Sequence, residues 1–272
     1  MQPASRAALA AARERLESRA EGASAQDRNR LGDDLASMAA VLGEQPVIRR
    51  YLADSAAPEQ TRRDMVKTLF GAKVSPISLA VVGDVVSSRW SRPLDVVDGI
   101  EELAWQALLG LAEHDGSLDD VEDELFRFGR ILVAQPRLET LLGDETAPAA
   151  RRVELLDTVL ADRTRPVTRR LLEQAVRSPR RRSLDEIVEV LVDRAAARRE
   201  RSVAHVTAAG PLSQGQEQRL LDVLNRIYRR SISLKVDLDP ELLGGLVIRV
   251  GDEVIDGSVA ARLGQARQWM SR

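Results

Sequence analysis

The 272-residue chain contains no cysteine, which excludes disulfides, thiol nucleophiles and Cys-based metal sites together. Aromatic residues supply only 3% of it. Its cores must therefore be built from Leu, Val, Ile and Ala, which suits closely spaced helices and leaves few rings on which bases could stack. The two histidines, His114 and His205, lie far apart and neither falls in a metal-ligand spacing. No window approaches the roughly 20 consecutive apolar residues that a membrane span requires, and no secretion signal is recognisable. We therefore expect no direct membrane span. A net charge of −2 gives no global field to attract nucleic acid or an anionic surface. A Gly-rich phosphate loop ending in Lys and Ser or Thr is missing as well. With no convergent catalytic groups, the chain reads as a non-enzyme that uses no cofactor and no metal.

What is present is a globular composition, 44% apolar and 30% charged, arranged with an internal regularity. Shifted by 90 residues, Gln45-Pro46 falls on Gln135-Pro136, Leu52 and Asp54 on Leu142 and Asp144, and Ala57-Pro58 on Ala147-Pro148. The correspondence continues without a gap through Arg62 on Arg152, Pro76 on Pro166, Val86 on Val176 and Leu94-Asp95 on Leu184-Asp185, giving 17 identities in the 70 positions from Leu31 to Ile100. We read this as an internal duplication.

Each copy reads as helices. Leu184, Ile187, Val188, Leu191 and Val192 recur at i, i+3, i+4, i+7 and i+8, and Val121, Leu125, Phe128 and Leu132 follow a similar stride. Pro46, Pro58, Pro76, Pro93, Pro136, Pro148 and Pro166 stand where helices should begin, since the first turn does not use the N–H that proline lacks. The shift also lays the first helix, Ala4 to Arg19, over Leu94 to Leu109, the last helix of the first copy. One helix could thus serve both bundles. After Arg201 the pattern changes: Ser202 to Ala208 reads as a strand, and Ser213 to Tyr228 as a helix with Leu220, Leu221, Leu224, Ile227 and Tyr228 on one face. Ile232, Leu234, Val236 and Leu238 alternate as a strand. A turn at Asp239-Pro240, a strand from Leu246 to Val250, a tight turn at Gly251-Asp252 and a closing helix from about Ser258 to Met270 complete a small mixed domain. The fold class is mainly α: two tandem bundles, residues 1–112 and 94–201, sharing or abutting one helix, then an α/β domain over 202–272.

The segment from Asp239 to Ser258 carries an acidic residue, the pair Gly244-Gly245, an apolar strand containing Arg249, then Gly251, and an Asp256-Gly257-Ser258 turn. It resembles the C-terminal signature of the ATP synthase δ subunit family, known in mitochondria as the oligomycin-sensitivity-conferring protein. The Ala-rich opening helix and the bundle behind it resemble that family's N-terminal domain. Members usually carry one such bundle, and the second copy accounts for the extra length. This enlargement, with the preference for Arg over Lys, is similar to that of actinobacterial members. The resemblance implies a non-catalytic connector of the F-type proton-translocating ATP synthase that resists rotor torque. Its N-terminal bundle would hold the N-terminal helix of an α subunit of the catalytic head, and its C-terminal domain the b-type peripheral stalk. It implies a peripheral location at the cytoplasmic face of the cell membrane, through the complex.

Which copy grips the head has to be chosen on physical grounds. Ile77, Leu79, Ala80, Val81, Val82, Val85 and Val86 cover nearly all sides of the fifth helix of the first copy, whereas the second has Arg169, Arg170, Glu173 and Gln174 there. A helix apolar all round needs burial on two faces. We expect one face to fill the core and the other, with the close-approach surface of the Ala-rich first helix, to form a head-binding groove at Ala8, Ala12, Leu79, Val82 and Val86. The alternative is that this helix is sandwiched between its own neighbours. Among the other polar features, His114 reads as a helix-end cation and His205 as an edge or interface residue of a strand. Asp252, Glu253 and Asp256 read as a solvated turn, too few oxygens for calcium. The run Arg177, Arg180, Arg181 and Arg182 reads as a turn, or a contact with an acidic helix, in preference to a phosphate site. A helical adaptor of another assembly, or a nucleic-acid-binding helical module, are the alternative functions.

Overall fold

A computed structural model describes residues 1–180, 182–201, 203–228, 232–239, 242, 244–251 and 253–259. The expected closing helix lies, beyond Val259, outside the described residues, as do Arg181, Ser202, Pro240 and Asp252. The chain divides into two compact units, Met1–Arg194 and Ala195–Arg272.

The first unit is helical. Its elements are α1 (Pro3–Glu21), α2 (Ala25–Glu44), α3 (Pro46–Ala53), α4 (Glu59–Phe70), α5 (Pro76–Ser87), α6 (Pro93–His114), α7 (Leu118–Ala134), α8 (Pro136–Gly143), α9 (Ala149–Leu160) and α10 (Pro166–Arg177), followed by α11 (Leu184–Arg201), in which the unit boundary falls. Proline opens α3, α5, α6, α8 and α10 at the first helical turn and is the N-cap of α4 and α9, as expected of a residue with fixed φ and no N–H to satisfy.

Helix α6 is buried on nearly all sides. Val96, Val97, Ile100, Leu103, Ala104, Leu108, Leu109 and Ala112 are all fully enclosed. It packs against α1, α2, α3 and α5 and also against α7 and α10, so the first half of the unit and the second half meet on one rod. Close approach of α2 to α6 is possible because Gly32 offers no side chain: a Cβ there would lie 2.6 Å from Leu108 Cγ.

The 90-residue regularity reappears in the tertiary contacts. The Asp34 carboxylate in α2 accepts hydrogen bonds from the Ser75 amide and the Ser78 hydroxyl, both at 2.8 Å, at the start of α5. The Glu124 carboxylate in α7 accepts from the Arg165 amide at 2.8 Å and the Thr168 hydroxyl at 2.5 Å, at the start of α10. Each carboxylate satisfies orphan donors of a helix N-terminus, where negative charge is favoured. At the other end of the same two helices, the buried Arg62 guanidinium donates to the Val86 carbonyl and the buried Arg152 guanidinium to the Val176 carbonyl. A cation at the last turn suits the helix dipole and the unpaired carbonyls there. The three contacts of the first half recur in the second at the same shift.

The second unit holds a four-stranded sheet of β1 (Val203–Ala208), β2 (Ser233–Leu238), β3 (Leu246–Val250) and β4 (Glu253–Asp256), in the order β2-β1-β3-β4. The β1–β2 pair is parallel and the other two are antiparallel. Its core joins Ala204, Val206, Ile248 and Val250 to Ile232 and to Leu224 of α12 (Gln214–Tyr228). At the start of helix α12 the Ser213 amide and hydroxyl both donate to Gln216 Oε1 at 2.9 Å. Ile227 departs from the expected face. It is 57% exposed, because Leu220, Leu224 and Tyr228 already fill the surface available to the sheet. His205 is not at an edge, since β1 is an inner strand; it points away from Ala204 and Val206 and lies 3.7 Å from Glu200.

Candidate functional site

Of the five residues expected to line a helix-binding groove, Ala8, Ala12, Val82 and Val86 are buried in the core of the first helices, and Leu79 is partly buried against it. The reason is the number of neighbours: α5 touches α1, α2, α4 and α6, so Val81, Val82, Val85 and Val86 are all covered within the chain. These residues form the layer beneath the seam between α1 and α5. The surface of the seam is made by Ala7, Glu14 and Ser18, which are exposed, and by the half-buried Ala11 and Ala80. An ion pair of Arg19 with Asp84 at 2.8 Å ties α1 to α5, and Arg63 reaches the same carboxylate at 3.4 Å. Beside the seam, Leu79, Ala80, Gly83, Arg63 and Lys67 line a cavity of about 260 Å³.

The corresponding seam 90 residues later lies between α6 and α10, and a helix of the chain covers it. Helix α2 runs along α6, with Gly32 over Ala104 and Leu108 and Gly43 near Val97. Its edge is fastened to α10. Arg170 donates to Asn29 Oδ1 at 2.8 Å and to Asp33 Oδ2 at 2.8 Å, and Gln174 Nε2 to the Gly32 carbonyl at 3.4 Å. Arg170 and Gln174, which distinguish α10 from α5 in the sequence, thus hold a second helix in place, while Glu173 pairs with Arg169 and Arg177 on α10 itself. The counterparts of Arg170 and Gln174 on α5 are Ala80 and Asp84.

The basic run is also held by α6. Arg180 pairs with Asp98 at 2.8 Å and Glu101 at 2.7 Å, and Arg182 pairs with Glu101 at 2.8 Å while stacking over Trp105 at 5.3 Å. The acidic helix it meets belongs to this chain, and these two cations face carboxylates instead of phosphate. His114 ends α6 beside Asp115 at 3.2 Å.

In the second unit the signature residues form a backbone clasp. Gly244 and Gly245 have φ of 140° and 87°, values that side chains disfavour. A Cβ on Gly245 would lie 2.5 Å from the Gly257 carbonyl oxygen. The Gly257 amide donates to the Leu246 carbonyl and the Val259 amide to the Gly244 carbonyl, each at 2.9 Å. Gly251, with φ of 58°, lets β3 fold back onto β4. The Asp239 amide donates to the Ala208 carbonyl at 2.9 Å, closing β2 onto β1. The Asp256 carboxylate is held below the usual range by hydrogen bonds from the Ser258 hydroxyl and then its amide. Arg249 is exposed on β3, beside His205 and Val254 in register. Glu253 accepts from the Tyr228 hydroxyl at 2.7 Å. The signature thus fixes a turn geometry, which explains its glycines without any ligand.

Comparison with known proteins bears on the whole chain. The profile of the ATP synthase delta (OSCP) subunit family matches residues 105–270, beginning within α6 and taking in the second half of the helical unit and the sheet. ATP synthase subunit delta of Streptomyces avermitilis is 46% identical over 268 residues, covering 98% of both chains. That of Streptomyces griseus subsp. griseus is 45% identical over 271 residues, and that of Parafrankia sp. is 44% identical over 279, each covering 100% of both chains. With the glycine clasp, the helical unit and likeness along its full length, the chain belongs to the ATP synthase delta (OSCP) subunit family.

Proposed function

We propose that the seam between α1 and α5 takes the N-terminal helix of an ATP synthase α subunit, and that the region from about Val203 onward meets the b-type stalk. As a member of its family the chain is a non-catalytic connector between head and stalk. In this reading residues 1–112 and 94–201 are duplicated bundles sharing α6, and residues 202–272 form the third domain. The observation that carries the choice of seam is the contrast between two equivalent positions: α6–α10 is covered by α2, whereas Ala7, Glu14 and Ser18 of α1 stand exposed. Small residues at Ala7, Ala11 and Ala80 allow a partner helix to approach closely, with Leu79 at the margin.

The location follows in the same reading: peripheral, at the cytoplasmic face of the cell membrane, held there through the complex. Among the described residues no helix is long and apolar enough to cross a membrane.

Calorimetric titration of the full chain with a peptide copied from the α-subunit N-terminus of the same source tests the seam. Ala80→Arg places on α5 the residue that α10 carries, at a half-buried surface position where the fold should tolerate it. The expected result is binding by the parent chain, weakened at least about tenfold, or about 1.4 kcal/mol, in the variant. Undiminished binding by a folded Ala80→Arg chain would place the head contact elsewhere.

A further inference from the structure

We infer that α2 is the permanent occupant of the helix-binding seam of the second half of the unit, so that the duplication doubles the bundle but not the grip: each chain holds one head helix. The inference rests on the reading of α1–α5 as the head seam and extends it to the counterpart.

Three observations support it. Helix α2 lies where a partner helix would lie, along α6 and fastened to α10 through Arg170 and Gln174. It cannot vacate that place, because its other side is the core of the first helices: Leu31, Leu35, Met38 and Leu42 are each at most 1% exposed. Leaving the seam would mean unfolding them. The seam residues match their different situations. The long polar side chains of Arg170 and Gln174 bridge outward to a fixed helix, while at the matching positions of α5 Ala80 leaves the α1–α5 seam low and Asp84 is held by Arg19 and Arg63.

The test counts helices per chain. Native mass spectrometry of the full chain with excess α-subunit N-terminal peptide, together with hydrogen exchange at saturation, gives both number and place. One peptide per chain, with new protection on α1 and α5 and none on α10, is the expected result, and Ala80→Arg should lower occupancy towards zero with no weaker second site appearing. Two peptides per chain would overturn the inference while leaving the head-helix reading intact. Protection gained on α10, or faster exchange in α2 as the peptide binds, would also overturn it. No binding at all would remove the head-helix reading and this inference with it.

Discussion

Two glycines of α2 face the same partner helix and should respond to the same substitution with opposite signs. At Gly32 a Cβ would stand 2.6 and 2.7 Å from Leu108 Cγ and Cδ2 and 3.3 Å from the Ala104 carbonyl oxygen. At Gly43 the nearest atom is Val97 Cγ1 at 4.0 Å, an ordinary contact. Gly→Ala inside a helix gains about 0.5–1 kcal/mol from propensity, and forcing a methyl into a full core costs about 1–3 kcal/mol. Leu108 is fully buried and has no room to withdraw, so the cost wins at Gly32. Gly32→Ala should lose about 1–2 kcal/mol, and Gly43→Ala should gain up to about 1 kcal/mol. For a unit of this size each kcal/mol moves Tm by about 2–4 °C. Urea unfolding with linear extrapolation, supported by thermal scans, measures both. If Gly32→Ala raised stability as Gly43→Ala does, the close approach of α2 to α6 would be wrong, and with it the account of the covered seam.

Asp34→Ala should cost about 2–3 kcal/mol in urea unfolding, because it strands the buried Ser75 amide and leaves the buried Ser78 hydroxyl with the Ser75 hydroxyl alone at 2.8 Å, and each hydrogen bond to a charged group is worth about 1.5–3 kcal/mol. Glu124→Ala should cost less, since water can reach the exposed Arg165 amide; an equal or larger loss would contradict this. Gly245→Ala should destabilise the second unit by at least about 2 kcal/mol through left-handed strain and the clash with Gly257, read as lost amide protection in β3 and β4. Asp256, whose folded pKa is depressed, contributes stability above its unfolded value of about 3.9 that is lost as pH falls through the lower folded value. A carboxyl NMR titration should place its midpoint below the ordinary Asp range, and Ser258→Ala should move it back up.

Much of the helical unit is legible from residue type and spacing. The prolines at helix starts mark boundaries because their constraint acts within one turn, and the 90-residue shift lays the opening helix over Leu94 to Leu109. The contrast between α5 and α10 is visible too, yet its meaning is not. Arg169, Arg170, Glu173 and Gln174 read as a polar face, and only the folded chain brings Arg170 within 2.8 Å of Asp33, 137 residues away. In the same way the apolar circumference of α5 signals burial on several sides without saying which neighbours supply it. Ile227 shows a similar limit, since periodicity places it on the apolar face and only the extent of the sheet decides that it is left exposed.

The sequence by itself determined the proline-marked helix starts, the 90-residue recurrence, the change from helical to mixed structure after Arg201, and the family through the Asp239–Ser258 signature. These are local properties, set by dihedral constraints, periodicity and the φ values that only glycine tolerates readily. Tertiary structure decided which face of each helix is covered and by what. Val82 lies inside while Ala80 lies at the surface, and α2 covers α6–α10 while α1–α5 stays open. The physical reason is that burial depends on neighbours far along the chain, and the same apolar stripe is core or docking surface according to whether the chain itself supplies the helix that covers it.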